Sequence, residues 1–555
     1  MQRAVRAWIA GGICAVSLMA VPDTILAQNT ELTSHDNHAL LYAHQLGFSS
    51  SGTPTVRMRI ADGIDKLKFF PNGNFTVRPA GTGGCAIHLR GGRTYEISLT
   101  SAKPGKYQYG IIVARGDSSA SLESEKNACA EQKIDTEIIP IGSVFALHGH
   151  VFDNRENLLM TKRTAIEGEA KTLLSRIPAE VSTDSPELYQ ELLEYPTADI
   201  NLSDLVGTVH IENPNLLWIE LPESGAKLYE IADEYGKKSD LLVNSQLIIT
   251  PDSNGHLAIV QSADVETILR GIVPSEVYAS APEAALMAQA VAARTTLIAQ
   301  IGARHLADPY HLCNKQHCQV YRGLSGADPR TDKAIEKTRG EVLFHENKLV
   351  QSYYSAHCGG ISAGSFETWG LPEKPYLVSR TDSAKESTMH FADDKAFMQW
   401  WNHPDNTFCA SAPAGHKPFA STKYARWKLS FSGQELSKLL KDRGHDVGTV
   451  QKIEVLSRGE SYRVTKLRVT GSKGKVEVDR ELAVRRLFGG LKSALFVLEQ
   501  TKSGNGLNSV TFYGAGFGHG VGLCQTGAIG MAQAGKSYKD ILKHYYPGTN
   551  LDKLW

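Results

Sequence analysis

Apolar and polar residues alternate along most of the first half of the chain, and this pattern predicts β-strands. Between Gln28 and about His150, short alternating runs are separated by glycines, as expected for half-buried strands joined by turns. The runs read VRMRIADG, KLKFF, FTVRP, YEISLT and YGIIVARG. Asp153 to Leu205 is more polar and its pattern favours helix. Strands return from Val206 to Val260, in the runs GTVHIE, LWIELP, QLIIT and HLAIV.

Helical patterns enter after residue 260. Pro282 and Glu283 are typical of a helix start, and the alanine-rich run EAALMAQAVAARTTLIAQIGAR favours a helix with close neighbours. Just before it, Glu276 follows Val273-Pro274-Ser275, where the pattern indicates that a strand gives way to a helix. Farther along, GEVLFHENKLVQSYYSA predicts a hairpin centred on Glu346-Asn347, and WKLSFSGQELSKLLKDRG predicts a strand followed by a helix. Three strands and a helix are predicted after that.

The length of 555 residues exceeds one ordinary core and indicates two or three domains. We predict an α+β protein, with a β-rich N-terminal region over residues 28–200 and a mixed α/β domain over residues 201–555. Lys+Arg and Asp+Glu both number 59. A nucleic-acid-binding protein would show an excess of basic residues, so this balance argues against a nucleic-acid partner. It is compatible with a neutral polymer such as a sugar chain.

The N-terminus has the features of a cleaved secretory signal over residues 1–27. Arg3 and Arg6 precede the apolar run Trp8–Val21, and Ile25-Leu26-Ala27 ends in small residues. The alternative is a membrane anchor, but the apolar run is too short to span a bilayer comfortably. The sequence therefore predicts an exported protein of the periplasm, envelope or extracellular space, without a transmembrane anchor after cleavage.

Seven cysteines remain after such a cleavage, an odd number that leaves at least one unpaired or bound to metal. Cys85 could pair with Cys129, and Cys358 with Cys409 across an inserted segment, residues 383–414. The run from His305 to Cys318 holds histidines and cysteines at short spacing, which suits tetrahedral zinc. The alternative there is a disulfide between Cys313 and Cys318, as an oxidising compartment would allow.

Eight motifs occur in a fixed order between Leu205 and Leu551. They read LRGIVPSEVYAS, ALMAQAVAART, HCQVYRG, GEVLFHENKLVQSYYSAHCGG, FETWG, LKSALF, GFGHGVGLCQTGAIGMA and HYYPGT. This series resembles the SpoIID/LytB family (stage II sporulation protein D), which includes peptidoglycan lytic transglycosylases and amidase enhancers. The chain departs from the family at Thr526, where tryptophan is frequent, and at Ala356-His357, where serines are common.

The resemblance implies that Glu276 is the catalytic acid. An isolated carboxyl beside an apolar helix is placed to have a raised pKa, as a proton donor to a glycosidic oxygen requires. The same group could then deprotonate the C6 hydroxyl of muramic acid, which closes a 1,6-anhydro ring. The alternative is an acid at a helix N-terminus that interacts with the macrodipole.

The resemblance also implies metal and substrate residues. Some family members carry zinc at the equivalent of Cys313, His317 and Cys318, with His305 as fourth ligand and His311 as its competitor. Such a closed site would be structural and would not activate water. The expected substrate-binding residues are Tyr321, Tyr354, His519 and Gln525. For the tyrosines, half-buried strand positions are the alternative, and for His519 a packing role in a tight turn.

The predicted function is therefore an exported lytic transglycosylase that cleaves the MurNAc–GlcNAc backbone of peptidoglycan. The resemblance implies a preference for glycan strands stripped of their peptides. The family name also links such proteins to sporulation. The first rival is a non-catalytic glycan-binding protein that enhances a cell-wall amidase as its partner. The second is a zinc hydrolase, against which the two cysteines of the zinc set argue. The glycine-dense loop Gly514–Gly530 is expected to border the same cleft as Glu276.

Overall fold

The computed structural model describes residues 34–49, 51–79, 85–142, 144–147, 150–153, 155–173, 176–177, 187–384, 390–403, 407–410 and 424–555. The predicted signal segment lies outside these residues. Helices and many sheets are both present, which confirms the α+β class. No helix in the described part of the chain is long and apolar enough to cross a membrane.

The strands of the first half are β1 (Gly47–Phe48), β2 (Pro54–Ile64), β3 (Lys66–Pro71), β4 (Phe75–Arg78), β5 (Ile87–Leu89), β6 (Tyr95–Lys103), β7 (Lys106–Gly116), β8 (Thr136–Ile141), β9 (Val144–Leu147), β10 (His150–Asp153), β11 (Glu156–Thr161), β12 (Glu187–Glu194), β13 (Thr197–Asp204), β14 (His210–Pro214), β15 (Leu217–Glu220), β16 (Ala226–Ala232), β17 (Lys238–Val243), β18 (Gln246–Pro251) and β19 (Leu257–Asp264). Those of the second half are β20 (Glu341–His345), β21 (Lys348–Leu349), β22 (Tyr354–Ser355), β23 (Trp427–Ser432), β24 (Val450–Arg458), β25 (Val464–Gly471), β26 (Gly474–Asp479), β27 (Phe496–Ser503), β28 (Gly506–Gly514), β29 (Leu523–Cys524) and β30 (Asn550–Lys553).

The helices are α1 (Ser34–Leu41), α2 (Glu123–Glu131), α3 (Glu167–Leu173), α4 (Val265–Glu276), α5 (Glu283–Ala299), α6 (Pro329–Lys337), α7 (Ser365–Trp369), α8 (Asp394–Asn402), α9 (Gly433–Asp442), α10 (Glu481–Leu487), α11 (Gln525–Gln533) and α12 (Tyr538–Tyr545).

Two antiparallel sheets hold most of the alternating runs. One has the strand order β1-β2-β19-β18-β15-β4-β5 and the other β14-β13-β6-β3-β16-β17. A smaller sheet, β12-β7-β11-β8, has its own apolar cluster. Strands from both sides of residue 200 thus share two sheets, and residue 200 itself lies in β13. Both sheets contain strands from before and after residue 200. The domain boundary predicted at residue 200 therefore stays a prediction.

Most predicted elements are confirmed. The predicted loop Gly514–Gly530 instead contains strand β29 and the first six residues of helix α11, and two further predictions are wrong. The hairpin at Glu346-Asn347 forms, with φ of 48° and 64° at its two central residues. The strand-helix pair β23–α9 and the three-stranded sheet β24-β25-β26 before α10 also form. The region 153–205, however, is mainly strand in its described part. Its polar residues lie on exposed strand faces such as that of edge strand β12, where polarity indicates solvent contact and not helix.

The second wrong prediction concerns Val273-Pro274-Ser275, which lies in the last turn of α4 and not in a strand. Asp264 begins this helix by accepting a hydrogen bond from the Thr267 backbone N–H at 3.0 Å, as an N-cap residue does. Helix α5 begins at Glu283, directly after Pro282, as predicted. It packs against α4, α6, α11, α12 and β20, and its alanines permit these close approaches.

A buried ion pair joins α4 to α5. Arg294 is fully buried, and its guanidinium donates to both carboxylate oxygens of Glu266 at 3.0 and 2.7 Å. The same carboxylate accepts hydrogen bonds from the Gly340 backbone N–H at 3.0 Å and the Trp555 indole N–H at 3.1 Å. Bidentate pairing satisfies both charges, so α4, α5 and the chain end are held together at one point.

Removing one partner of this pair should be strongly destabilising. Arg294→Met leaves the Glu266 carboxylate buried without its cation, and we expect a loss of about 3–5 kcal/mol in the free energy of unfolding. Arg330→Met is the matched control, since Arg330 pairs with Asp328 while more than half exposed, and should cost about 1 kcal/mol or less. Chemical denaturation measures both; equal losses would contradict the role assigned to Arg294.

Candidate functional site

Glu276 is the last residue of α4. Its position at the C-terminal end of a helix excludes the helix N-terminal role considered from the sequence. The carbonyl end of the macrodipole is negative and disfavours a nearby carboxylate. The side chain is half-buried. The fold therefore places the carboxyl where its charged form is disfavoured.

Two groups contact the Glu276 carboxyl directly. The Val320 backbone N–H donates to its Oε1 atom at 2.8 Å, and the Tyr354 hydroxyl forms a second hydrogen bond with it. The same hydroxyl lies 2.9 Å from the Gln319 side-chain oxygen, and the Gln319 amide nitrogen donates to the Ala293 carbonyl on α5. The carboxyl is thus oriented by neighbours that α5 and β22 hold in place.

Burial raises the pKa of Glu276 to about 7. The hydrogen bond from the Val320 N–H, the hydrogen bond with Tyr354 and the charge of Arg322 lower this pKa. The charge of Glu234 raises it, and burial dominates. A group with a pKa near neutrality has both protonation states accessible at working pH. The site can therefore hold and release a proton at Glu276.

Gln525 connects the glycine-dense loop to the end of α4. It is the first residue of α11, and its amide nitrogen lies 3.0 Å from the Glu276 main-chain carbonyl and 3.2 Å from the Gln289 side-chain oxygen. The last carbonyls of a helix have no partner within the helix, so Gln525 satisfies one of them. Its contact is with the backbone that carries the acid.

His519 lies in the same loop but does not bond the Glu276 carboxyl. Its Nδ1 accepts the Val521 backbone N–H at 3.0 Å, and its ring centroid is 4.9 Å from that of Trp369. Burial lowers the pKa of His519 to about 3, so the imidazole is neutral, and it hydrogen-bonds the main chain of Tyr354. His519 therefore reaches the acid only through Tyr354.

Tyr321 lies beneath the site. It is fully buried, its hydroxyl donates to the Gln261 side-chain oxygen at 2.6 Å, and its ring lies where a side chain on Gly271 of α4 would be. This placement leaves no ring face for a sugar. Tyr278, two residues after Glu276, is instead 73% exposed. No sequence pattern indicates Tyr278, because a single exposed tyrosine forms none. Gln289 was detectable as a polar residue within an apolar helix.

His305, Cys313, His317 and Cys318 converge as a candidate metal centre. Their ligand atoms lie within 4.8 Å of one another. The sulfur of Cys318 is 3.4 Å from His305 Nε2 and 3.6 Å from His317 Nδ1, and the sulfur of Cys313 is 3.7 Å from His317 Nδ1. Tetrahedral zinc bonds place such sulfur and nitrogen ligands about 3.6 Å apart. The four residues could therefore hold a metal ion.

The structure contains neither of the two alternatives, which were His311 as fourth ligand and a disulfide between Cys313 and Cys318. His311 is buried elsewhere, where its Nδ1 accepts the Arg57 backbone N–H at 3.3 Å and its ring lies 5.9 Å from that of His44. Cys313 and Cys318 are both free thiols. Asp308 accepts from His305 Nδ1 at 2.9 Å, a contact that orients a histidine ligand. Since Cys318 precedes Gln319 and Val320, the candidate metal centre lies directly beside the segment that contacts Glu276.

The two departures from the family motifs touch each other. The Thr526 hydroxyl donates to the Ala356 carbonyl at 2.8 Å, and the Thr526 backbone N–H lies 3.2 Å from the same atom. The neighbouring His357 is buried, and its Nδ1 accepts the Gly359 backbone N–H at 2.9 Å. These positions fix the loop packing beside α11 in this chain, and Thr526 offers no aromatic face.

Comparison with known proteins identifies two regions of the chain. The family described as stage II sporulation protein matches residues 253–345, and a domain of unknown function, DUF8618, matches residues 363–522. The first match includes Glu276 and the whole candidate metal centre. The second includes the inserted segment and much of the glycine-dense loop. Among solved structures, CutA from Synechococcus elongatus covers 19% of this chain and 88% of its own, with 16% identity and a TM-score of 0.10, too low to inform the fold.

Three curated relatives match about half of the chain. An uncharacterized protein of Brachyspira hyodysenteriae is 27% identical over 54% of this chain and 69% of its own length. A Bacillus subtilis protein named Amidase enhancer is 32% identical over 51% of this chain and 40% of its own length. Stage II sporulation protein D of Bacillus amyloliquefaciens is 27% identical over 53% of this chain and 76% of its own length.

The stage II sporulation protein match contains the motifs LRGIVPSEVYAS, ALMAQAVAART and HCQVYRG, and two of the three relatives bear the names Amidase enhancer and Stage II sporulation protein D. Residues 253–345, which carry Glu276 and the candidate metal centre, therefore match the stage II sporulation protein family, and the chain is similar to proteins named Amidase enhancer and Stage II sporulation protein D.

Proposed function

We propose that this protein is an exported lytic transglycosylase that cleaves the MurNAc–GlcNAc backbone of peptidoglycan. The observation that carries the proposal is the Glu276 carboxyl, held by Val320 and Tyr354 with its pKa raised to about 7. The sporulation and amidase-enhancer names of the relatives support a substrate in the cell wall. Strands stripped of their peptides are the preferred form of substrate in this proposal.

In the first step, protonated Glu276 donates its proton to the glycosidic oxygen as the bond from that oxygen to C1 of MurNAc breaks. Charge develops on the sugar ring, and the substrate's own N-acetyl group can stabilise it. The GlcNAc-bearing product leaves with the proton on its new hydroxyl. The pKa near 7 keeps a useful fraction of Glu276 protonated at neutral pH.

In the second step, the Glu276 carboxylate removes the proton from the MurNAc C6 hydroxyl, and O6 bonds to C1. This closes the 1,6-anhydro ring and returns the proton to Glu276, so no water is consumed. The attack is intramolecular within the substrate, which favours it over an external nucleophile. One carboxyl therefore serves both steps.

The surrounding residues have positioning roles in this proposal. Tyr354 and Gln525 orient the carboxyl and its backbone, while Tyr278 offers an exposed ring to a sugar face. The proposed zinc on His305, Cys313, His317 and Cys318 is structural, because four protein ligands leave no open position. This donor set argues against a zinc hydrolase.

A second candidate function is a glycan-binding protein that enhances a cell-wall amidase without cleaving the strand. The relative named Amidase enhancer favours it. The two functions differ in one readout, because the enhancer raises product release only when an amidase is present. Turnover of purified, peptide-free glycan by the protein alone distinguishes them.

The first prediction from the proposed function concerns the chemistry of the products. Incubation with peptide-free glycan strands should release fragments ending in 1,6-anhydro-MurNAc, detected by mass spectrometry. Glu276→Gln should abolish these ends, because the amide cannot donate a proton. Glu336→Gln, at an exposed position of α6, is the matched control and should retain full activity. Retained activity in Glu276→Gln would reject the assignment.

The second prediction concerns stability against pH. The pKa of Glu276 is about 7 in the folded protein and 4.5 ordinarily, so the folded state binds more protons between these values and its stability falls as pH rises from 4.5 through 7. Glu276→Gln removes this loss. We expect the variant to match the wild type at pH 4 and to be more stable by about 1–3 kcal/mol at pH 8.

Denaturant titrations of both proteins at each pH measure this difference. Wild-type and variant curves that keep a constant separation from pH 4 to 8 would show that Glu276 has no raised pKa.

The third prediction concerns the metal centre. Protein purified without chelator should contain zinc, and Cys318→Ser should lose one ion per chain together with stability, because ligand and fold are coupled. Cys129→Ser is the matched control, since Cys129 is buried but lies in the separate β12-β7-β11-β8 sheet region. A Cys313–Cys318 disulfide in a non-reducing peptide map would reject the site.

A further inference from the structure

A second group of metal-ligand side chains lies outside the proposed catalytic machinery. Cys358 follows β22, Asp382 and Cys409 belong to the region after α7, and Cys524 ends β29. All four are buried, and their ligand atoms lie within 4.8 Å of one another. Four segments distant in the sequence therefore meet at one point.

The separations fit one coordinated ion. The sulfurs of Cys358 and Cys409 are 3.5 Å apart, and the Cys358 sulfur is 3.4 Å from Asp382 Oδ2. Tetrahedral zinc would place two sulfurs about 3.8 Å apart, and a sulfur and an oxygen about 3.6 Å apart. A disulfide requires about 2.05 Å, so the observed geometry is closer to that of ligands around a metal ion.

Cys524 is placed to be a thiolate. Its sulfur accepts the backbone N–H of Cys358 at 3.2 Å and that of Gly527 at 3.3 Å. It is also the N-cap residue of α11, where the helix end favours a negative sulfur. Backbone N–H groups directed at a sulfur favour its thiolate form, which is the form that binds metals.

Asp382 directs one oxygen into the group and the other outward. Its Oδ2 accepts the Cys409 backbone N–H at 3.1 Å, beside the thiols. Its Oδ1 accepts the Tyr545 hydroxyl at 2.7 Å and lies 3.5 Å from His544 Nε2. A side chain on Gly527 would come within 2.6 Å of Oδ2, so the glycine leaves room. Hydrogen bonds to the outer oxygen are what orients a carboxylate ligand.

We propose that Cys358, Asp382, Cys409 and Cys524 form a second structural zinc site. Three sulfurs and a carboxylate buried together require a cation if they are ionised. Thiolates favour zinc over the hard cations magnesium and calcium, and the close spacing suits a single ion. The site does not depend on the proposed reaction.

The proposed ion would fasten the inserted segment to the catalytic domain. Cys409 follows Phe408, whose carbonyl packs so closely on α11 that a side chain on Gly530 would lie 2.0 Å from it. Cys524 immediately precedes Gln525, which holds the Glu276 backbone. The second zinc would therefore fix the segment and the start of α11 relative to each other.

Metal analysis of the full chain tests this site. Native mass spectrometry should find two zinc ions per wild-type chain, one in Cys409→Ala, one in Cys318→Ser and none in the double variant. Cys129→Ser should keep both. Because the two ligand variants affect different ions, failure of the first centre is distinguishable from failure of the second: the wild type would then hold one ion, lost in Cys409→Ala and kept in Cys318→Ser.

Alkylation of the wild type covers the case in which Cys409→Ala does not fold. Cys358, Cys409 and Cys524 should resist iodoacetamide in the native protein, and all three should react without reductant once the protein is denatured with a zinc chelator. A disulfide between any two of these cysteines would overturn the proposal. So would a Cys409→Ala variant that folds and holds as many zinc ions as the wild type.

Discussion

Burial of a carboxyl group is costly unless a cation or hydrogen bonds compensate for it, or unless the group stays protonated. Helix α4 carries two such carboxyl groups, one in its first turn and one at its end. The cost of burial is compensated differently for each. Glu266 pairs through both of its carboxylate oxygens with the fully buried Arg294. Glu276 has a backbone N–H and a tyrosine hydroxyl as its hydrogen-bonding neighbours, and burial raises its pKa. The first carboxyl thus joins α4, the helix that carries Glu276, to α5.

The segments around Glu276 are supported from two sides. On one side, the His305–Cys318 group immediately precedes Gln319 and Val320, which orient the carboxyl. On the other side, the Cys524 group immediately precedes Gln525, which bonds the Glu276 backbone. Each group offers four ligand atoms within 4.8 Å of one another, and its residues come from loops and strand ends. Metal binding at these places would give loop segments the rigidity that a positioned acid needs.

The sequence predicted those features that depend on local patterns. Alternation located most strands, and proline and glutamate located the start of α5. Ligand spacing indicated a zinc site between His305 and Cys318, and the family resemblance selected its four residues. Local patterns failed at Pro274, because tertiary packing keeps that residue inside a helix, and in the region 153–205, because exposed strands are as polar as helices. Contacts between distant residues were not predictable. The burial of Tyr321 and the bond from Gln525 to the Glu276 backbone arise from the folded topology. So does the approach of Asp382 and Cys524 to Cys358 and Cys409, of which the sequence suggested only the pairing of the two last.

The central claim is that Glu276 stays protonated up to neutral pH because the fold buries it. Infrared difference spectra of the wild type against Glu276→Gln, recorded from pH 4 to 9, measure the protonation of this one carboxyl directly. The account predicts a protonated carboxylic acid band that persists at pH 6 and is replaced by a carboxylate band with a midpoint near 7. A carboxylate band already complete at pH 6 would contradict it.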